Sequence, residues 1–149
     1  MQAKKTMPTT YLLLSIVVMT ALHFLFPAMR IIPPLWNLLG LVPLALGVII
    51  NLVADKAFHK ANTTVKPFEE SSALITRGVF RASRNPMYLG FVLILIGIAV
   101  LMRSLTPYVV VLAFAILIDR MYITVEERML AEKFGAEWEK YRQSTRRWL

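Results

Sequence analysis

The chain has 149 residues, a formal net charge of +8, a hydrophobic fraction of 57% and no cysteine. Its length suits a single domain, but it is too apolar for an ordinary soluble domain of this size. The lack of cysteine excludes disulfides, thiolate catalysis and cysteine-ligated metals. Because the positive charges lie between long apolar runs, we expect membrane lipid headgroups as the anionic partner, and no nucleic acid.

Four apolar stretches approach the length of about 20 residues that a membrane-spanning helix needs. They cover residues 11–26, 35–53, 88–102 and 105–118, and the first can extend past Pro27 to residue 32 and the fourth to residue 123. Only a tight turn at residues 102–107 separates the third stretch from the fourth, and both are short. The sequence therefore predicts an all-α, polytopic membrane protein with about four transmembrane helices, the last two forming a short helical hairpin.

The charged residues predict the orientation of these helices. All but two of the 17 lysines and arginines, and all nine acidic residues, lie on one side of the four stretches, while Arg30 and Arg103 lie on the other. The positive-inside rule then places both termini and the middle loop in the cytoplasm. The first stretch lacks the small residues of a signal-peptide cleavage site, so we expect it to be retained as a helix.

The cytoplasmic segments carry local helix signals. Pro86 suits the first turn of a helix and predicts that the third span begins there. After the fourth span, apolar residues recur at helical spacing at Leu130, Phe134, Trp138 and Tyr141, which predicts a cytoplasmic amphipathic helix lying on the membrane. Gly135 is positioned to break this helix in two.

The hairpin returns the chain to the face that it left, so two polar groups of residues should lie close together. They are Arg77, Arg81, Arg84, Asn85 and Tyr88 before the third span, and Asp119, Arg120, Glu126 and Glu127 after the fourth. No glycine-rich nucleotide motif, metal-binding histidine cluster or Ser-His-Asp arrangement accompanies them. Considered alone, these residues fit ordinary interfacial charges better than a pocket for a small charged molecule.

Two sequence blocks resemble a known superfamily. Residues 76–90, Thr-Arg-Gly-Val-Phe-Arg-Ala-Ser-Arg-Asn-Pro-Met-Tyr-Leu-Gly, resemble the G-x-[YF]-x-x-x-R-[HN]-P-x-Y-x-G signature of the isoprenylcysteine carboxyl methyltransferase and phospholipid methyltransferase superfamily. Residues 126–141 resemble its E-E-x-x-L-x-x-x-F-G-x-x-[YW]-x-x-Y block, and residues 146–149 are similar to the end of bacterial members. The resemblance covers about residues 58–149. It suggests a two-helix membrane part at residues 1–54 and a membrane-embedded methyltransferase core at residues 55–149.

The resemblance implies an enzyme that uses S-adenosyl-L-methionine at the cytoplasmic face of a bacterial inner membrane. Its acceptor would be lipidic or apolar: a prenylcysteine carboxylate, a phospholipid amine or another small apolar nucleophile. The resemblance assigns cofactor binding to Arg84, Asn85, Pro86, Tyr88, Leu89, Gly90, Glu126 and Glu127. It makes Arg84 and Glu127 the catalytic candidates and implies no metal.

General chemistry suggests roles for some of these residues. Arg84 can bind a carboxylate through two hydrogen bonds. Adjacent glutamates point about 100° apart on a helix, so we expect only one to face the pocket, and Glu127 is favoured. Asn85 stands where many relatives have histidine and cannot titrate, which argues against general-base catalysis there. Gly90 either allows close approach of the cofactor or serves helix packing.

The final residues depart from the pattern of eukaryotic carboxyl methyltransferases. Ser144 and Thr145 occupy the stretch where those enzymes tend to carry a basic residue followed by Val-Pro, which weakens the case for a prenylcysteine carboxylate. Arg146 or Arg147 either replaces that basic residue or anchors the chain to anionic lipid, and anchoring is favoured.

Two other functions stay open: a non-catalytic membrane scaffold and a small four-helix transporter. The apolar interiors carry no charged residue of the kind that ion-coupled transport usually needs. The transporter is therefore disfavoured. The sequence does not predict an oligomeric state.

Overall fold

The computed structural model describes residues 6–26, 29–64, 68–69 and 71–149. Its helices are α1 (Pro8–Leu25), α2 (Leu41–Lys60), α3 (Pro86–Met102), α4 (Thr106–Ile118), α5 (Thr124–Phe134) and α6 (Ala136–Ser144). Short 3₁₀ turns cover Trp36–Gly40 and Gly78–Arg81, and a π-helical turn covers Asp119–Ile123. The part of the chain that the structure describes contains no β-strand, so the predicted all-α class is confirmed there.

Within the described residues, three helical stretches are long and apolar enough to cross a membrane: Pro8–Leu25, Trp36–Lys60 and Thr106–Phe134. Helix α3 has 17 residues and is shorter than these, as the sequence predicts for the third span. The fourth stretch differs from the prediction, because α4 runs on through the π turn into α5 and makes one helical stretch of 29 residues. The backbone N–H of Thr124 still bonds to the carbonyl of Asp119, so the charged residues at the π turn do not end the helix.

Helices α2 and α3 pack closely, and glycines bring their backbones together at two places. A β-carbon built on Gly40, just before α2, would lie 2.5 Å from the carbonyl oxygen of Gly97, and one on Gly97 would lie 2.6 Å from that of Gly40. Gly47 and Gly90 face each other in the same way, and a side chain on either would overlap the backbone of the other helix. Small residues at such a seam bring helix backbones together, which gives close van der Waals packing inside a membrane.

The main hydrophobic core lies between α1, α3 and α4. Its most deeply buried members include Met19, Leu95, Ile118 and Ile123. Large apolar side chains on the outer faces of α1, α2 and α4 are exposed. A membrane protein presents such faces to lipid, because lipid tails are as apolar as the side chains themselves.

A second hydrophobic cluster forms around the C-terminal end of α2. It contains Ala54, Phe80, Trp138 and Tyr141, with partly buried Leu130 and Phe134 packed against it. The predicted amphipathic stripe therefore contacts other parts of the protein, where a helix lying on the membrane was expected. Gly135 separates α5 from α6 with φ +47°, and this confirms the predicted break.

Candidate functional site

The loop before α3 is held by the segment that follows α6. The backbone N–H of Arg84 donates to the carbonyl of Arg146 (3.0 Å), and Asn85 Nδ2 and Ser83 Oγ both donate to the carbonyl of Arg147 (3.1 and 3.2 Å). The backbone N–H of Asn85 also donates to Ser83 Oγ. Pro86 then occupies the first turn of α3, where its missing N–H costs no hydrogen bond. These contacts fix Arg84 and Asn85 directly before the start of α3.

Four charged side chains form a continuous network beside this loop. Glu127 Oε1 lies 3.0 Å from Arg84 Nη2, and Glu127 Oε2 accepts a 2.6 Å hydrogen bond from Arg147 Nη2. Arg147 Nη1 also contacts both carboxylate oxygens of Asp119, at 3.3 and 3.4 Å. The hydrogen bond from Arg147 to Glu127 raises the pKa of the arginine above its ordinary value. The loop arginine and the acidic residues after the fourth span therefore meet, as the sequence predicts.

The side chain of Arg84 is only 9% exposed, and one of its nitrogens lacks a hydrogen-bond partner among the described residues. Its Nη1 donates to the carbonyl of Arg142 (2.9 Å), and its guanidinium carbon lies 5.7 Å from the centre of the Trp138 ring. Its Nε is buried and has no hydrogen-bond partner among the described residues. A buried guanidinium N–H without an acceptor is costly, so it is a candidate contact for an anionic ligand group.

Two cavities adjoin, and the residues that line both of them are called the shared wall. The larger has a volume of about 410 Å³ and the smaller about 230 Å³. Five residues line both cavities: Phe58, Phe80, Arg84, Asn85 and Glu126. The Phe58 and Phe80 rings meet edge to face with centroids 5.4 Å apart, so the shared wall is part aromatic and part charged.

The two cavities differ in chemistry. The larger one adds polar and aromatic groups from α5, α6 and the loop before α3, among them Glu132, Trp138 and Tyr141. The smaller one adds mainly apolar groups from the starts of α1 and α3: Met7, Pro8, Thr9, Pro86, Met87, Tyr88 and Phe91. Because the start of α1 lines the smaller cavity, the site includes residues from both predicted parts of the chain, 1–54 and 55–149.

The Tyr88 hydroxyl donates a 2.7 Å hydrogen bond to Glu126 Oε1. Tyr88 is 8% exposed, and its ring lies beside that of Tyr122 with centroids 6.2 Å apart. This bond joins the first sequence block to the second at the wall between the cavities. The Glu126 carboxylate consequently has a defined orientation although it lacks an arginine partner among the described residues.

The predicted site residues divide into three groups. Arg84, Asn85 and Glu126 line both cavities, while Pro86 and Tyr88 line the smaller one only. Glu127 is absent from both linings and forms ion pairs with two arginines. Three other arginines of the predicted polar groups, Arg77, Arg81 and Arg120, are exposed at the surface, as ordinary interfacial charges are.

Leu89 and Gly90 line neither of these two cavities. Gly90 instead packs against Gly47 and Asn51 of α2, which is the helix-packing alternative that the sequence left open. Glu126 lines both cavities, whereas Glu127, which the sequence favours as the pocket-facing acid, lines neither of them. The π turn before α5 adds a residue relative to the α-helical repeat, so the face of each residue beyond it cannot be read from regular helix spacing.

The sequence alone does not predict most of the aromatic residues that line the cavities. Phe58 and Phe80 belong to the end of α2 and to a 3₁₀ turn far along the chain, so no helical spacing relates them. The sequence places Trp138 and Tyr141 in the second block and predicts a membrane-facing stripe there, but both residues line the larger cavity. Arg147, favoured as a lipid anchor, is bonded to Glu127 and Asp119.

This arrangement defines a membrane helical protein with two adjoining cavities at one end of its helices. A profile of the phospholipid methyltransferase family matches residues 35–137. The chain therefore belongs to that family, and the resemblance of the two sequence blocks is confirmed.

The chain is also similar to proteins of known class. A probable protein-S-isoprenylcysteine O-methyltransferase from Oryza sativa subsp. indica is 33% identical over 109 residues, covering 70% of this chain and 56% of that protein. The protein-S-isoprenylcysteine O-methyltransferase of Saccharomyces cerevisiae is 36% identical over 129 residues, covering 80% of this chain and 53% of that protein.

A solved structure of the eukaryotic intramembrane Ras methyltransferase ICMT, an isoprenylcysteine carboxyl methyltransferase, matches with a TM-score of 0.68 and 26% sequence identity. The match covers 95% of this chain and 51% of that one. This likeness supports a membrane-embedded fold. The present chain spans about half the length of the relatives that it matches.

Proposed function

We propose that this chain transfers a methyl group from S-adenosyl-L-methionine to a lipidic or apolar acceptor. The observation that carries the proposal is the wall of five residues shared by a polar, aromatic cavity and a smaller apolar cavity. A cofactor in the larger cavity and an acceptor in the smaller one would lie side by side along these shared residues, as direct contact between methyl donor and acceptor requires. The family membership and the names of the relatives support the same reaction class.

The residues of the larger cavity fit the chemical groups of this cofactor. The unpaired Nε of Arg84 suits its carboxylate. The Glu126 carboxylate suits its ammonium or its ribose hydroxyls, and the Trp138 and Tyr141 rings suit its adenine or its sulfonium. When bound, the cofactor supplies a methyl group that is already activated by a positively charged sulfur.

The side chains of the protein then have to hold the methyl donor and the acceptor in line and to exclude water from the site. Tyr88 holds the Glu126 carboxylate through its hydroxyl, and Arg84 is held by Glu127 and by the carbonyl of Arg142. Fixed donors and acceptors of this kind favour alignment of two reactants, which is the main requirement of a displacement at carbon. Asn85 lies in the same wall and can donate or accept a hydrogen bond without titrating.

The smaller cavity supports an apolar acceptor. Its lining is formed mostly by methionine, proline and aromatic side chains at the starts of α1 and α3. Such a surface accommodates an acyl or prenyl chain through apolar contact. A prenylcysteine carboxylate, a phospholipid amine and another small apolar nucleophile are the acceptor classes that this lining could take.

The distribution of basic residues supports a cytoplasmic position for this site. Both cavities lie at the end of the helices that carries most lysines and arginines, and positive charge accumulates on the cytoplasmic side. In this arrangement α3 also spans the membrane, as a shorter helix in addition to the three longer stretches, and both termini lie in the cytoplasm.

Labelling of single cysteines tests this orientation, because the natural chain contains no cysteine that would react in the background. Arg81 and Leu105 are both exposed and lie beyond opposite ends of α3. In Arg81→Cys the thiol should react with an impermeant reagent only from the cytoplasmic side, and in Leu105→Cys only from the other side. Labelling of both variants from the same side would contradict the proposed topology.

Calorimetric titration of the purified protein with S-adenosylhomocysteine tests the cofactor site. The parent protein should release heat, Arg84→Ala should lose binding, and Arg81→Ala should retain it, because Arg81 is exposed on the same loop and lines neither cavity. A folded parent protein that gives no heat at high micromolar ligand would contradict the proposal. Binding that persists unchanged in both Arg84→Ala and Glu126→Gln would favour the non-catalytic scaffold.

Incubation with methyl-labelled cofactor in native lipid extract tests the transfer step. The labelled species should be a lipid or an apolar small molecule, and its chemical class identifies the acceptor. An absence of labelled product, despite cofactor binding, would again favour a scaffold that retains the fold.

A further inference from the structure

We propose that Arg147 is a positioning residue that holds Glu127 and, through it, keeps the Arg84 guanidinium available to a ligand in the shared wall. This role rests on the proposed function, since it concerns how well the wall binds the cofactor. It assigns Arg147 to the site, where the sequence favoured an anchor to anionic lipid.

The geometry links the three residues in a chain. Arg147 Nη2 lies 2.6 Å from Glu127 Oε2, and Glu127 Oε1 lies 3.0 Å from Arg84 Nη2. Asp119 holds the other side of the Arg147 guanidinium through contacts of 3.3 and 3.4 Å. Because Glu127 and Arg147 are absent from the linings of both cavities, they reach a ligand only through Arg84.

Charge balance explains why a second arginine matters. Glu127 is 12% exposed and lies between two guanidinium groups. If Arg147 is removed, the full attraction of the buried carboxylate acts on Arg84 alone, in surroundings that screen charge poorly. The Arg84 guanidinium would then bind Glu127 more tightly and would offer less positive charge to an anionic ligand group.

The Arg147 side chain can be removed without undocking its segment. The carbonyls of Arg146 and Arg147 accept hydrogen bonds from the loop at residues 83–85, and a side-chain substitution leaves both carbonyls in place. Trp148 also packs against the main hydrophobic core. An effect of substituting Arg147 therefore reports on its charged side chain.

Arg146 provides a matched control. It is the neighbouring residue, carries the same charge, and is exposed. We expect Arg147→Gln to weaken S-adenosylhomocysteine binding by about tenfold or more and to raise KM for the cofactor more than it lowers kcat, because the lost interaction contributes to binding in both the ground state and the transition state. Arg146→Gln should bind like the parent protein. Equal losses in the two variants would indicate a general charge effect, such as lipid anchoring, and would overturn the proposal.

A double-mutant cycle tests whether Arg147 acts through Glu127. In a Glu127→Gln background, Arg147→Gln should cause little further loss, because the carboxylate that it restrains is gone. Full additivity of the two effects would overturn the proposal. Arg147→Lys should recover only part of the binding, since a lysine cannot bridge Glu127 and Asp119 with a planar fork.

Two controls separate the possible failures. If Arg147→Gln does not fold, the double variant with Glu127→Gln restores charge balance and still allows the comparison with Glu127→Gln alone. If the parent protein binds no S-adenosylhomocysteine, the proposed function fails and this role fails with it. If the parent protein binds and Arg147→Gln binds equally well, only the positioning role is overturned.

Discussion

Tyr88 and Glu126 are joined by a 2.7 Å hydrogen bond between the third residue of α3 and the third residue of α5. One of these residues belongs to each of the two sequence blocks that resemble the methyltransferase superfamily. The bond joins a residue of the smaller cavity to one that lines both cavities, so it couples the orientation of a buried acid to the start of α3. The two blocks are far apart in sequence but are in direct contact in the folded chain.

Loss of the Tyr88 hydroxyl should disorder the shared wall without removing the aromatic ring. In Tyr88→Phe the Glu126 carboxylate loses a charged hydrogen bond, which is worth about 1.5–3 kcal/mol. We expect kcat/KM for methyl transfer to fall by roughly 10- to 100-fold on that scale. Tyr108→Phe is the control, because it removes a hydroxyl from α4 and lines neither cavity. Equal activity in both variants would contradict the role of this bond.

The two adjacent glutamates should respond differently to neutralisation. Glu126→Gln removes a charge from the cavity wall, so methyl transfer should fall strongly while the unfolding temperature changes little. Glu127→Gln leaves Arg84 and Arg147 without their shared carboxylate, so stability should fall by about 2 kcal/mol, the scale of a hydrogen bond to a charged group. Thermal unfolding in detergent and initial rates would check both. Identical profiles for the two variants would show that the wall and the ion-pair network are not separate.

Local backbone rules made several features predictable from sequence. Pro86 begins α3 and Gly135 separates α5 from α6, as expected. Proline restricts its own φ and lacks an N–H, and glycine at positive φ costs little. These effects act within a few residues, so they can be read without knowing the fold.

Long-range features could not be predicted in the same way. Helical spacing does not say whether Glu126 or Glu127 faces a cavity, because the π turn at Asp119–Ile123 shifts the repeat. Basic composition near the end of the chain is compatible with lipid anchoring, whereas Arg147 pairs with residues 20 and 28 positions away. Side-chain partners at such separations depend on how the helices pack, and this packing cannot be read from a single sequence.

The glycine seam between α2 and α3 should tolerate no added methyl group at Gly90. A β-carbon there would lie 2.8 Å from the Gly47 carbonyl oxygen and would also overlap Asn51 Nδ2. Because a backbone carbonyl inside a helix cannot move aside, Gly90→Ala should destabilise the protein by about 1–3 kcal/mol, the usual range for overpacking. Ala45→Val is the control, since it enlarges an exposed residue of α2. The unfolding midpoints of Gly90→Ala, Ala45→Val and the parent protein would be measured in detergent. A Gly90→Ala variant as stable as the parent protein would refute the close packing.

Tyr141 should make the stability of the protein sensitive to alkaline pH. Its buried hydroxyl donates a 2.6 Å hydrogen bond to the carbonyl of Phe80, and burial raises its pKa from 10.0 to about 12, with Arg84 opposing the shift. Folding therefore favours the neutral phenol, so this contribution is complete below about pH 10 and is lost as pH rises towards about 12, at up to about 1.4 kcal/mol per pH unit.

Tyr141→Phe should be less stable at neutral pH by about 1–3 kcal/mol, because the Phe80 carbonyl loses its donor. The variant should also lack this alkaline component, so its difference in unfolding free energy from the parent should shrink between about pH 10 and 12. A difference that stays constant across that interval would show that Tyr141 does not titrate with folding.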